Sequence, residues 1–167
     1  MLEIGIGVGR VGWAMARRCH SWTGCDVSAN MISHARRRLI EFKNVNLVLL
    51  DNSSLAPIAG ESIDVIYCTN AFPHMDQHVR FQYIVDAYRA LRHNGRIYID
   101  TIALDSKDGW IMVENNLAQA KAGLGSIPYV PIPSAPDELM AYFAKAGFAD
   151  PYYRIAGSLL IATAVKK

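Results

Sequence analysis

Five apolar runs separated by helix-length stretches constrain this chain more than any other feature. Strand-like runs fall at 1–4, 22–26, 45–51, 63–69 and 96–102. Helical stretches lie between them at 11–20, 30–42 and 77–91. The last carries Phe81, Ile84, Val85, Tyr88 and Leu91 on one face at helical spacing. Strands alternating with helices predict a doubly wound α/β fold, a parallel sheet covered on both sides. The tail departs from that rhythm. Residues 152–156 and 159–165 are two strands separated only by Gly157-Ser158, so an antiparallel C-terminal hairpin should close a mostly parallel sheet. Residues 105–136 have no strand character and become rich in Pro and Gly near their end. Ser134-Ala135-Pro136-Asp137 reads as a capping box for a helix over 138–146, which Gly147 would close.

A chain of 167 residues is one domain with room for a real core. A net charge of +2 is too small to argue for nucleic acid or a membrane surface, and Arg36-Arg37-Arg38 is expected to be a solvated helix face. The three cysteines, Cys19, Cys25 and Cys68, have no metal-ligand spacing. They are expected to be reduced and buried, as in a cytoplasmic protein, and no metal is expected. No apolar stretch is long enough to span a bilayer. The N-terminus carries Glu3 and has no basic region ahead of its apolar residues, unlike a signal peptide.

The first strand runs into glycines at positions 5, 7, 9 and 12, and these admit two registers. One is Glu3 followed by Gly5, Gly7 and Gly9; the other is Gly7-Val8-Gly9-Arg10-Val11-Gly12, the dinucleotide pattern. In both, glycine permits positive φ and close approach of a ligand at a helix N-terminus. Ligands of such sheets bind outside the carboxyl ends of the strands, so strand-end residues are informative. Asp26 ends the second strand and can accept both hydroxyls of an adenosine ribose. Asp51 ends the third and can accept from an adenine amino group. Thr69-Asn70-Ala71-Phe72-Pro73-His74 follows the fourth. Polar groups at four successive strand ends favour a nucleoside-like ligand.

Leu2-Glu3-Ile4-Gly5-Ile6-Gly7-Val8-Gly9-Arg10 and Gly24-Cys25-Asp26-Val27-Ser28-Ala29-Asn30-Met31 resemble the class I S-adenosylmethionine-dependent methyltransferases, in their small-molecule, methyltransferase-11-type branch. Ile63-Asp64-Val65-Ile66-Tyr67 and Tyr88-Arg89-Ala90-Leu91-Arg92-His93-Asn94-Gly95 strengthen the resemblance, which covers nearly the whole chain and implies a Rossmann-like fold. It favours the Glu3 register. By that resemblance Glu3 would orient the loop and the methionine ammonium, Gly5 and Gly7 would lie under the carboxypropyl arm and ribose, and Gly9 would let the helix start close to the sheet. Asp26 would bind the ribose hydroxyls, with Val27 beside it and Met31 packed on the adenine. Asp51 would take the adenine amino group with Asn52 nearby, and the Asn70 carbonyl would face the ammonium. The family's usual Gly-Gly turn before the fifth strand is Asn94-Gly95 here, a small departure because Asn tolerates positive φ.

The reaction implied is methyl transfer to an oxygen or nitrogen of a small-molecule acceptor, mainly by alignment and exclusion of water. His74 is the candidate base, with Asp76 and His78 as fallbacks. Residues 105–136 would form a substrate lid, with Trp110, Tyr129 and the Pro-rich stretch 127–133 lining or covering the acceptor pocket. Asn70-Ala71-Phe72-Pro73 is only partly similar to the Asn-Pro-Pro-Tyr motif of enzymes that methylate exocyclic amines, so a nucleic-acid base is not expected as substrate. The chain begins inside the first strand, where the family has upstream helices across the cofactor mouth. The expectation is therefore a shortened form whose mouth needs cover from a second copy, as a homodimer, or from 105–136. The competing readings are a nicotinamide-dependent oxidoreductase in the Gly7-Gly9-Gly12 register, and a non-catalytic cofactor-binding module.

Overall fold

A computed structural model of the chain describes residues 1–51, 54–122 and 131–167. Seven strands form one sheet in the order β3-β2-β1-β4-β5-β7-β6: β1 Leu2–Ile4, β2 Trp22–Asp26, β3 Val45–Leu49, β4 Ile63–Cys68, β5 Leu91–Ile102, β6 Ala149–Ala156 and β7 Leu159–Val165. The pairs β1·β2, β1·β4, β2·β3 and β4·β5 are parallel, whereas β7 runs antiparallel to both β5 and β6. The doubly wound sheet with its antiparallel C-terminal hairpin is thus the architecture expected from the sequence.

Helices α1 Arg10–Ala16 and α2 Ala29–Arg38 cover one face, where Ile6, Trp22, Ala35, Leu39 and Tyr67 form a core. On the other face, Leu2, Ile4, Ile66, Ile97 and Ile99 pack with residues of α3 Gln77–Ala90 and α5 Pro136–Ala146. β1 lies between β2 and β4 and is buried along its whole length. The glycines after it therefore emerge at the centre of the sheet.

Several local expectations shift, for identifiable reasons. α1 stops at Ala16 because the Asn44 side-chain amide donates to the carbonyls of Ala16 and Cys19 at 2.8 and 3.0 Å. On α3, Ile84 is buried as expected, but Val85 is 39% exposed and the buried face runs instead through Arg80, Tyr83, Ala87 and Ala90, while Leu91, also buried, falls to the next strand. β5 begins five residues early. Leu91 pairs with Ile63 and Arg96 with Val65, and the extra residues bulge out around Asn94 at φ 63°. A Cβ at Gly95 would meet the Arg92 carbonyl at 2.8 Å, so the second position of that turn requires glycine. Cys25 and Cys68 are buried but Cys19 is half-buried; all three thiols are free. Burial pushes the Cys25 thiol up to about 12, which makes it a poor nucleophile.

The stretch 105–136 contains a helix that strand-based reasoning passed over, α4 Lys107–Lys121. Ser106 caps it by accepting from the Gly109 N–H at 3.0 Å, and the Ser158 hydroxyl donates to Asp108, tying α4 to the β6–β7 turn. Ser134 does not cap α5, contrary to expectation: Ala135 holds that position without a side-chain bond, and Pro136 opens the helix. The Ser134 hydroxyl instead accepts from Arg80 Nη1 at 2.9 Å, and its backbone bridges to β5.

Arg80 explains that diversion. It is 1% exposed and donates to the Phe72 carbonyl (3.1 Å), the Ile132 carbonyl (2.7 Å) and the Glu138 carboxylate (3.2 Å) as well as to Ser134. One planar guanidinium thereby joins α3, the turn after β4, the chain leading into α5, and α5 itself. Arg80→Met should cost about 3–5 kcal/mol, because it strands a carboxylate and buried carbonyls without a donor. Denaturant unfolding measures this, and a loss below about 1 kcal/mol would show that the network relaxes onto water.

Candidate functional site

Strand order reverses between β1 and β4, which opens a crevice at their carboxyl ends. The turn after β1 carries Gly5, Gly7 and Gly9 at φ 72°, 51° and 77°, a conformation that disfavours any side chain. Each does a different job. A Cβ at Gly5 would fall 2.5 Å from the Ala71 Cβ, so the turns after β1 and β4 touch there. A Cβ at Gly9 would press on Ala35 and Leu39 at 3.3 and 3.2 Å, so the turn runs close against α2 there. A Cβ at Gly7 would meet nothing within 4 Å among the described residues. Gly7 faces open space, where a ligand can come close to the backbone.

Asp26 closes the same turn from β2. Its Oδ2 accepts from the Gly7 N–H and its Oδ1 from the Ser28 N–H, each at 2.9 Å. A carboxylate offers about four acceptor positions, so capacity for a vicinal diol remains. Val27 and Met31 are exposed apolar side chains just beyond, at 56% and 38%. Ser28 caps α2 with its hydroxyl and so fixes where Met31 stands in the first turn. Asp51 is exposed past the end of β3. Asn52 and Tyr129 lie outside the described residues.

Glu3 is 2% exposed within β1. Its Oε2 accepts from the Tyr67 hydroxyl at 2.9 Å, and that hydroxyl accepts from the Trp22 indole N–H at 2.7 Å. The carboxylate thus turns to this chain on the α1/α2 face, with no bond to a glycine-turn N–H among the described residues. Burial pushes Glu3 up to about 7, partly opposed by the bond from Tyr67.

After β4, Asn70 takes φ 54° and donates its N–H to Asp100 Oδ1 at 2.7 Å. Phe72–His74 form a 3₁₀ turn in which the His74 N–H bonds the Ala71 carbonyl at 3.0 Å, and the His74 side chain is exposed. Asp76 stands at the N-cap of α3 and His78 in its first turn. Trp110 is 55% exposed on α4. The structure therefore ties Asp26 to Gly7 and the β4 turn to Gly5, while Glu3 points to an inner chain. Sequence reasoning missed Tyr67, Trp22 and Asp100; the one signal for the last was an acid among the isoleucines at the end of its strand, Ile97, Ile99 and Ile102. A separate concavity of about 270 Å³, lined by Arg36, Leu39, Phe42 and Val45 among others, opens at the start of β3, away from the crevice.

A family described as "Methyltransferase domain" matches residues 1–95, more than half of the chain, and the chain belongs to it. Among solved structures it is similar to a SAM-dependent methyltransferase from Methanosarcina mazei, with TM-score 0.80 at 18% identity over 99% of this chain and 91% of that one. A SAM-dependent methyltransferase from Thermotoga maritima gives 0.76 at 20% identity, over 99% and 81%. PigF, solved with SAH, gives 0.76 at 18% identity, over 99% and 49%. At these identities the likeness is one of fold. No curated protein matches the chain. No helix among the described residues is long and apolar enough to cross a membrane.

The Glu3 environment has a consequence for stability. The unfolded chain releases the Glu3 proton near 4.5, whereas the folded chain keeps it to about 7. Between those limits the folded state binds more protons, so the Glu3 contribution to stability falls as pH rises through that window and stays lost above it. Glu3→Gln keeps an acceptor for Tyr67 and cannot ionise. Thermal unfolding of both proteins from about pH 5 to about pH 8 should show the variant gaining on the parent by on the order of 2–3 kcal/mol. A pH-independent difference would mean that Glu3 titrates normally.

Proposed function

We propose that this chain is an S-adenosylmethionine-dependent methyltransferase acting on an oxygen or nitrogen of a small-molecule acceptor. One observation carries the reading: the Asp26 carboxylate is bonded to the Gly7 N–H at a strand-order reversal, beside a left-handed glycine turn that faces open space. That arrangement suits a ribose diol above a closely approaching backbone. Membership of the methyltransferase-domain family and the likeness of fold support the same reading.

In this reading Asp26 holds the ribose hydroxyls, Met31 and Val27 bound the adenine, and Asp51 accepts from its amino group. The Asn70 carbonyl and Glu3 sit on the methionine side of the crevice. The bound cofactor would supply a methyl group on a sulfonium, already a strong electrophile. The chain's task is then to bind, align and exclude water. His74, exposed one turn beyond Asn70, is the group we assign to take the proton of a hydroxyl or ammonium acceptor. The free thiols suit a reducing, cytoplasmic setting. A nicotinamide enzyme is disfavoured, because β7 enters the sheet antiparallel between β5 and β6 where a dinucleotide fold is parallel throughout.

Calorimetry should show binding of S-adenosylhomocysteine and none of NADH; the reverse result rejects the reading. Asp26→Ala should weaken that binding by about 1–3 kcal/mol through loss of charge-assisted bonds. With an acceptor in hand, His74→Ala should lower turnover roughly 10²-fold while leaving cofactor affinity near the parent value. Turnover equal to the parent would remove His74 from the chemistry.

A further inference from the structure

The turn after β4 holds a conformation that its sequence does not favour. Asn70 is left-handed at φ 54°, a region that Asn reaches more easily than most residues but still unfavourably. One bond crosses from it to the neighbouring strand, from the Asn70 N–H to Asp100 Oδ1 at 2.7 Å. The next residue, Ala71, lies against the glycine turn, since a Cβ at Gly5 would come within 2.5 Å of its Cβ. The turn is therefore held from both sides, by β5 through Asp100 and by the turn after β1 through Gly5.

Asp100 is a costly residue for that place if only the strand is considered. It is half-buried, and among the described residues it forms no ion pair. Burial raises its pKa above the usual carboxylate value, and the Asn70 N–H works against that rise. Its register partner in β7 is the apolar Ile161, which accepts nothing and donates nothing from its side chain. A β-branched residue would suit the strand better. What a carboxylate adds at position 100 is a strong, short acceptor for one backbone N–H.

We propose that Asp100 is a positioning residue for the mouth of the site: its carboxylate fixes the Asn70 backbone, and with it the Asn70 carbonyl and the seat of Ala71 on the glycine turn. The proposal rests on the reading of this crevice as the cofactor site. It acts through Asn70 and asks for no contact between Asp100 and a ligand.

Asp100→Ala removes the acceptor and Asp100→Asn keeps a neutral one. Two measurements separate this idea from the functional reading: amide exchange of Asn70 in the ¹⁵N-labelled free chain, and calorimetric affinity for S-adenosylhomocysteine. Asp100→Ala should speed Asn70 exchange and weaken S-adenosylhomocysteine binding, each roughly tenfold, with little change in thermal midpoint. Asp100→Asn should stay within about threefold of the parent in both. Adding Asn70→Gly to Asp100→Ala should recover part of the affinity, since glycine reaches the left-handed region without the clamp. Unchanged Asn70 exchange in Asp100→Ala overturns the proposal, and so does parental affinity. A large fall in midpoint shared by both Asp100 variants also overturns it, by assigning Asp100 to sheet stability. A parent chain that binds no S-adenosylhomocysteine overturns the functional reading instead, and Asn70 exchange alone then decides whether the clamp exists.

Discussion

Trp22 is the side chain around which the α1/α2 half of the molecule is arranged. It is 1% exposed, and its ring occupies space that exists only because two neighbours are glycines. A Cβ at Gly24 would lie 2.3 Å from the ring and one at Gly12 2.5 Å from it. The indole therefore sits between α1 and β2 at a spacing that no larger residue permits. Its N–H begins the chain to Tyr67 and Glu3, which spans β2, β4 and β1 in turn. β1 is only three residues long, so backbone pairing alone gives it little hold. This polar chain satisfies a buried carboxyl and pins the strand from which the glycine turn departs.

The same packing accounts for a glycine of the dinucleotide register without any ligand. In the dinucleotide pattern Gly12 is the third essential glycine, and its requirement here is met in full by the Trp22 ring. Gly12 thus has a structural reason to be glycine whatever the ligand is. Gly5 and Gly9 likewise have protein neighbours that exclude a side chain, Ala71 for one and Ala35 with Leu39 for the other. Of the glycines in this turn, Gly7 alone has no neighbour within 4 Å among the described residues. Its N–H goes to Asp26, so the open position and the carboxylate at the end of β2 are joined by a single hydrogen bond.

Features with short-range causes were legible in the sequence. β2 and β7 fall at the residues expected, and Gly147 closes α5 at φ 96°. Asn94 takes the positive φ expected of it. Features set by distant partners were not legible. Ser134 has the local pattern of a cap, but Arg80, far away in sequence, competes for its hydroxyl and wins with a charge-assisted bond in the interior. α4 escaped notice because Gly109 is its only buried residue, so it carries no apolar stripe for periodicity to detect. Val85 was placed on the buried face by spacing alone, whereas the need to bring Arg80 inward rotates α3 past it.

The candidate site divides along the same line. Asp26 and the glycines are local signals, a strand end and a turn, and the chain places them together as their spacing implies. Glu3 shows how residue type and position can agree while the immediate partner differs. A carboxylate in the central strand is expected to serve the crevice, yet its observed bond runs inward to Tyr67, and burial pushes its pKa up to about 7. Burial in a hydrogen-bonded chain thus fixes Glu3 through Tyr67, a partner 64 residues away that no local pattern announces.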